Sequence, residues 1–353
     1  MSYKEDLDEL LETVVKEGAS DLHLSEGRHP TIRISGTLLP LVKKKVLTHE
    51  DIVGILKVML GDDKEKKFVE KKEYDFSYRY NDSARFRGNA FIQQGYYSIA
   101  LRLIPKQILT FEELGLPKSL EIFTQKKQGF FLVVGPVGQG KSTTLASMIE
   151  MINQQRAEHI VTIEDPIEYV YEQKKSIIDQ REVGTDTDSF ENALLSVLRQ
   201  DVNVILLGEM RGHETMAAAV TAAETGHLVF STLHTNNAAQ TIDRIIDTFP
   251  PEQQDQIRVQ LAASLTGIFS QRLIPRISGG MVPAYELLVA NNAVANLIRE
   301  KRTHEINTVI ETGLQEGMVD MNRSLADLVR RGEISIENAY QHSLNPQILE
   351  RMI

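Results

Sequence analysis

The stretch Gly135-Pro136-Val137-Gly138-Gln139-Gly140-Lys141-Ser142 follows the apolar run Phe130 to Val134 and precedes a helix-forming segment. Strand, glycine-rich loop and helix in that order match the context that a G-x-x-x-x-G-K-[ST] phosphate loop requires. Gly135, Gly138 and Gly140 allow tight turns that bring backbone N–H groups close to phosphate oxygens. The helix that starts near Lys141 points its unpaired amides at the same anion. Lys141 is placed to reach the β- and γ-phosphates, and the Ser142 hydroxyl to ligate Mg²⁺. Val137 and Gln139 stand at variable loop positions; Gln139 and Thr143 are counted with the cradle as nucleotide contacts. The expected ligands are therefore ATP and Mg²⁺.

Two acidic segments downstream suit the same chemistry. His159 to Ile163 is an apolar run that ends in Glu164-Asp165-Pro166. In an open α/β sheet, ligands sit outside the carboxyl ends of the strands. Pro166 stops strand pairing and leaves Glu164 and Asp165 at the strand tip. Glu164 reads as the carboxylate that positions or activates the attacking water, against the alternative of a solvated loop acid. Val204-Ile205-Leu206-Leu207 reads as a strand buried on both faces, with Gly208-Glu209-Met210-Arg211 after it. Gly208 stands where an aspartate is usual, so Mg²⁺ contact is expected through water or through Glu209 itself.

A third apolar strand, Leu228 to Leu233, is bracketed by His227 and His234. Across an extended strand the two imidazoles would lie on opposite faces and about 23 Å apart. With no cysteine in the chain, no structural zinc is expected. His234 reads either as a sensor of the γ-phosphate or as a contact to a neighbouring subunit. The N-terminal part offers Arg85, Arg87 and Arg102 as arginines that accelerate hydrolysis, an effect of roughly 10³–10⁵ in rate where it operates. Arg85 and Arg87 are two apart in a strand and share a face. A ligand role and simple balance of Asp75 and Asp82 are both open on the sequence.

The chain has 353 residues, 42% of them apolar, which is ample for more than one core. Residues 1–110 carry 18 Lys plus Arg against 17 Asp plus Glu, and the remainder 21 against 32. No segment has the basic surplus of a protein held to DNA by its phosphates, so nucleic acid is an unlikely partner. The start, Met1-Ser2-Tyr3-Lys4-Glu5-Asp6, is not that of a signal peptide, and no transmembrane segment is expected.

Periodicity divides the chain. Leu7, Leu10, Leu11, Val14 and Val15 make an amphipathic helix closed by Gly18. Asp21 to Ile34 and Tyr74 to Ile104 alternate as a small mixed sheet, with a helix from Thr48 to Gly61 between them. This N-terminal α+β domain spans 1–104. Residues 105–112 read as a hinge, and Thr110 with Glu113 as a capping box. Residues 113–353 form an α/β ATPase domain with strands near 130–134, 159–163, 204–208 and 228–233. Asp188 and Glu191 are expected to cap the next helix. Past Pro250 the pattern is mainly helical, including 252–270, 291–302, 305–313, 322–331 and 335–342. Ala293, Val294, Leu297 and Ile298 form an apolar helical face, read first as core and second as a partner contact.

Taken together, the phosphate loop, the acidic box Thr162 to Glu168, Gly208-Glu209-Met210-Arg211 and the histidine box ending Ser231-Thr232-Leu233-His234-Thr235-Asn236 are recognisable. With Ala19 to Leu24 and Arg85 to Phe91, the chain resembles the type II/IV secretion ATPases, and within them the type IV pilus retraction, or twitching-motility, ATPases. The resemblance implies a PAS-like N-terminal domain, a RecA-like ATPase domain and assembly as a homohexameric ring. It further implies ATP in the cleft between domains, Glu164 as catalytic carboxylate, and Glu209, His234, Arg87 and Arg102 as catalytic partners. It places the protein in the cytoplasm, peripheral at the inner-membrane base of the pilus machine, against a platform protein. The start close to the first module and the absence of cysteines point to retraction rather than extension or secretion. So does Ala293 to Glu300, which resembles the retraction signature with Val294 and Ala295 in place of Ile and Arg. Gly88 replaces a common valine, and Gly212 an aspartate.

Overall fold

A computed structural model describes residues 2–34, 36–81 and 84–353. The chain divides into one compact unit of residues 1–107 with 166–170, and a second of residues 108–165 with 171–353. Asp82 lies outside the described residues.

The first unit is a six-stranded sheet with two helices. Its strands are β1 (Asp21–Ser25), β2 (Thr31–Ile34), β3 (Thr37–Pro40), β4 (Glu73–Tyr80), β5 (Ala84–Gln93) and β6 (Tyr96–Ile104), in the order β3-β2-β1-β6-β5-β4. Every pairing is antiparallel, so the sheet is not mixed as its pattern suggested. Helices α1 (Tyr3–Lys16) and α2 (His49–Lys71) start with capping boxes, Ser2 with Glu5 and Thr48 with Asp51. Each box satisfies two of the backbone groups that a helix start leaves unpaired. Gly61 does not end α2; its positive φ of 70° makes a kink, after which the helix resumes to Lys71. Leu7, Leu11, Leu22, Ile52, Phe68 and Phe86 pack into one core.

The valine-to-glycine departure at position 88 has a steric reason. Phe76 is its cross-strand partner. A Cβ on Gly88 would come within 2.4 Å of the Phe76 ring. The aromatic ring covers the bare glycine, a device that sheets use to restore packing at such positions.

The second unit is a seven-stranded sheet with helices around it. Its strands are β7 (Gly129–Val134), β8 (His159–Glu164), β9 (Ile177–Glu182), β10 (Val204–Leu207), β11 (Leu228–Leu233), β12 (Leu265–Pro275) and β13 (Met281–Val289). The order is β13-β12-β7-β11-β10-β8-β9, with all neighbours parallel except the β12–β13 hairpin. Strands β7, β10 and β11 are buried at every residue, as expected where helices cover both faces. The helices are α3 (Phe111–Leu114), α4 (Glu121–Thr124), α5 (Lys141–Gln155), α6 (Phe190–Val197), α7 (His213–Glu224), α8 (Ala238–Asp247) and α9 (Pro251–Ser264). The Thr110–Glu113 capping box is present on α3. Ser189, not Asp188, caps α6, because its extended backbone sets Oγ to accept from Asn192 N.

Helix 252–270 is corrected by the structure. It stops at Ser264, and residues 265–275 become β12 beside the phosphate-loop strand. Gly267 permits the approach, since a Cβ there would lie 2.6 Å from the Phe123 ring and 2.8 Å from Leu288 O. Ala262, Leu265 and Phe269 are buried, as their core reading required. Beyond the hairpin come α10 (Asn292–Arg299), α11 (Ile306–Thr312), α12 (Met321–Arg330), α13 (Ile336–His342) and α14 (Pro346–Glu350). On α10, Val294 and Ile298 are fully buried, Leu297 packs at the core margin and Ala293 is exposed. Ile274, Val282 and Ala284 of the hairpin share a further core with Met321, Leu325 and Ala339.

The Gly88–Phe76 fit makes a testable case. Gly88→Val alone should lower stability by about 1–3 kcal/mol through overpacking, read by denaturant unfolding. Adding Phe76→Leu should recover most of that loss; a double variant no better than the single one counts against the fit.

Candidate nucleotide-binding site

Parallel register brings the ends of four strands to one edge. Val134 pairs with Leu233, and Leu207 with Ile163, so the residues that follow each strand emerge side by side. At this edge stand Gly135, Glu164, Gly208 with Glu209, and His234. Gly135 N donates to Leu233 O at 3.3 Å, which holds the loop mouth against the histidine segment.

Gly135, Gly138 and Gly140 all adopt positive φ, at 146°, 77° and 76°. Gly140 is the N-cap of α5 and Lys141 its first residue, with Ser142 and Thr143 in the first turn. The open amides of that turn and the helix dipole favour an anion. Lys141 is buried, and its Nζ donates to Gly135 O at 2.9 Å and Pro136 O at 2.8 Å. It also donates to His234 Nδ1 at 3.2 Å. An ammonium can only donate, so Nδ1 accepts and the ring proton sits on Nε2. Burial, then the neighbouring Lys141 charge, lowers the His234 pKa below its usual value, which favours that neutral ring.

Glu164 is buried at the end of β8. Its Oε1 accepts from Thr162 Oγ1 at 2.7 Å and from Gln180 Nε2 at 3.4 Å. These bonds aim the carboxylate, and neither partner was singled out in the sequence. Glu209 pairs with Arg211 at 2.5 Å, and its hydrogen bond raises the Arg211 pKa. Thr232 Oγ1 donates to Gly208 O at 2.6 Å and pins the turn that precedes Glu209. Gly212 takes the N-cap position of α7 with no side-chain hydrogen bond, so the missing aspartate is a missing cap. The Ser142 hydroxyl and the strand-tip carboxylates are oxygen donors, the type that a hard cation such as Mg²⁺ prefers. His227 is engaged elsewhere, with Nδ1 against Ala222 O at 3.0 Å.

The β12–β13 hairpin supplies residues that were not singled out in the sequence. Gln271 and Leu273 bond to Gln139: Gln271 Nε2 donates to its backbone O at 2.8 Å, and Leu273 N to its Oε1 at 2.7 Å. The Gln139 side chain therefore braces the loop. Ser270 Oγ donates to Asn236 O at 2.9 Å, and its cross-strand partner Glu286 accepts from Ala238 N at 2.8 Å. Both bonds anchor the segment after His234. Gly279-Gly280 between two apolar runs was the hairpin signal available in the sequence.

Arg87 and Arg102 belong to the first unit, where they face each other directly across β5 and β6. Arg85 shares their face of the sheet. Arg102 Nε donates to Asp21 Oδ1 at 2.9 Å. Burial pushes the Asp21 carboxyl up, but hydrogen bonds from Ser20 and Arg102 outweigh it and leave the pKa lowered. Arg87 Nη1 is 3.5 Å from Glu168, on the 166–170 segment of the same unit. Like charges directly opposite on a sheet cost stability, and here Asp21 and Glu168 each answer one of the two arginines.

A glycine-rich loop between β7 and α5, with carboxylates at the tips of neighbouring parallel strands, defines a P-loop nucleotide-binding protein of RecA-like architecture. The chain belongs to the type II/IV secretion system protein family, which it matches over residues 2–348. It is 45% identical over 342 residues to the type IV pilus retraction ATPase PilT of Pseudomonas aeruginosa, covering 97% of this chain and 99% of that protein. A twitching motility protein of Neisseria gonorrhoeae is 45% identical over 319 residues, 90% of this chain and 85% of that one. Among solved structures, the pilus retraction motor PilT with bound ADP aligns with a TM-score of 0.91 at 46% identity, covering 98% of each chain.

Glu286 yields a pH prediction. Its carboxyl is nearly sealed from water, and burial first pushes it up to about 7; the Ala238 N–H and Arg272 pull down, and Asp320 pushes up. The folded chain then binds this proton more tightly than the unfolded one, whose value is 4.5. Its contribution is full below pH 4.5 and is lost as pH rises through about 7. Glu286→Gln keeps an oxygen acceptor for Ala238 N, so it should flatten that decline and be more stable than the parent at pH 8, by about 1–3 kcal/mol. Parallel stability curves for the two proteins from pH 5 to 8 would contradict the assignment.

Proposed function

We infer that this chain is an ATP-hydrolysing motor that powers type IV pilus retraction and twitching motility. The observation that carries the reading is the complete phosphate-loop site, set in a chain that resembles a pilus retraction motor over nearly its whole length. Hydrolysis splits the β–γ phosphoanhydride, and little covalent chemistry is asked of the protein beyond positioning and charge stabilisation. Gly135 to Thr143 receive the phosphates, and Lys141 exchanges its carbonyl partners for phosphate oxygens. Glu164, aimed by Thr162 and Gln180, orients the attacking water and takes up its proton. His234, neutral and bonded to Lys141, senses whether the γ-phosphate is present.

Ser142, and Glu209 directly or through water, would hold Mg²⁺, which would supply charge neutralisation at the phosphates. Arg87 and Arg102 supply further positive charge to the phosphates of their own or a neighbouring chain; their juxtaposition on one face of the sheet supports that reading. We propose that the protein works as a homohexameric ring in the cytoplasm, seated on an inner-membrane platform protein. No described helix is long and apolar enough to cross a membrane, so membrane contact would run through that partner.

Glu164→Gln should lower the steady-state phosphate release rate by about 10²–10⁴ while ADP affinity and folding stay close to wild type. A Glu164→Gln protein that assembles and turns over at the parental rate defeats the assignment. Chelation with EDTA should abolish hydrolysis, and added Mg²⁺ restore it; turnover indifferent to chelation removes the metal role. Arg102→Ala should slow hydrolysis by at least tenfold with ring assembly retained, scored by phosphate release and light scattering. A normal rate would leave Arg102 with its structural bond to Asp21 alone.

A further inference from the structure

Gln271 is a buried amide on β12 with both ends of its carboxamide committed to the phosphate-loop region. Its Oε1 accepts from Thr144 Oγ1 at 2.6 Å, on the first turn of α5. Its Nε2 donates to Gln139 O at 2.8 Å, inside the loop. One side chain therefore spans the loop and the helix that follows it. The strand presses on the same loop at two more places. A Cβ on Gly135 would lie 2.4 Å from Gln271 O, and one on Gly140 3.4 Å from Leu273 Cδ1. Leu273 N meanwhile holds the Gln139 side chain.

A buried polar side chain is costly unless its groups are paired. Leucine or methionine would fill the position without that cost, so the amide earns its place through what it holds. A glycine-rich loop has more backbone freedom to lose than any other segment. Each amide aimed at a phosphate must be ordered on binding unless it is ordered beforehand. We propose that Gln271 is a positioning residue of the phosphate loop, locking the Gln139 peptide against Thr144 so that the loop is in its nucleotide-receiving shape before the ligand arrives. The proposal rests on the reading of this loop as the nucleotide site.

Such a residue acts on binding of the whole nucleotide, in ground and transition states alike. Its loss should raise KM and leave kcat largely intact. Gln271→Met, close in volume, removes both hydrogen bonds. Thr144→Val removes one of them from the other end. In the full-length protein, Gln271→Met should weaken ADP binding about five- to thirtyfold by calorimetry, and Thr144→Val about fivefold. KM for ATP should rise in step, with kcat within twofold of wild type. The Gln271→Met/Thr144→Val double variant should bind ADP no more weakly than Gln271→Met alone, because the shared bond is already gone.

Parental ADP affinity in folded Gln271→Met overturns the proposal. So does a double variant whose losses multiply, or a fall in kcat at unchanged KM. Should Gln271→Met not fold, Thr144→Val decides: a weakened KM supports the lock, and parental binding refutes it. ADP binding by the parent, absent in Lys141→Ala, separates these outcomes from failure of the nucleotide site itself.

Discussion

Parallel alignment of β7, β11, β10 and β8 is the constraint on which the rest of the second unit depends. Strands β7, β10 and β11 are buried at every residue, so helices cover both of their faces. Because they run the same way, whatever follows each of them must emerge at one edge. A phosphate loop, two acidic tips and a histidine are thereby assembled from segments as far apart as residues 135 and 234. Lys141 then joins two of those segments, the phosphate loop through Gly135 O and Pro136 O and the histidine segment through His234.

The hairpin of β12 and β13 adds the polar scaffolding. Its successive residues Ser270 and Gln271 serve different loops, because adjacent strand residues point to opposite faces. Gln271 braces the phosphate loop, while Ser270 and its partner Glu286 hold the segment behind His234. Burial of these groups is tolerated because each has found a hydrogen-bond partner. Nucleotide loop and histidine loop are consequently held by a single strand. A shift in its register would displace both.

In the first unit, helix packing and charge are divided between the two faces of one antiparallel sheet. Phe86 and Leu22 face α1 and α2, while Arg85, Arg87 and Arg102 face away. Asp21 answers part of the Arg102 charge. The pair is half-exposed, with Arg102 open to solvent and Asp21 buried.

The local chemistry was written in the amino-acid order. Phosphate-loop glycines, the apolar strands, the carboxylates at their tips and the Thr110–Glu113 cap are short-range features, and each was legible because backbone freedom, burial pattern and capping act over a few residues. Helical periodicity failed at 265–270, where Leu265 and Phe269 satisfy both a helix and a buried strand. Only the neighbouring β7 decides between them, by offering unpaired backbone groups that a buried segment must meet. The same holds for Thr162, Gln180 and Gln271, ordinary polar residues in the linear chain. Their roles exist only once distant segments are folded together, since a hydrogen bond depends on distance and direction that sequence spacing does not encode.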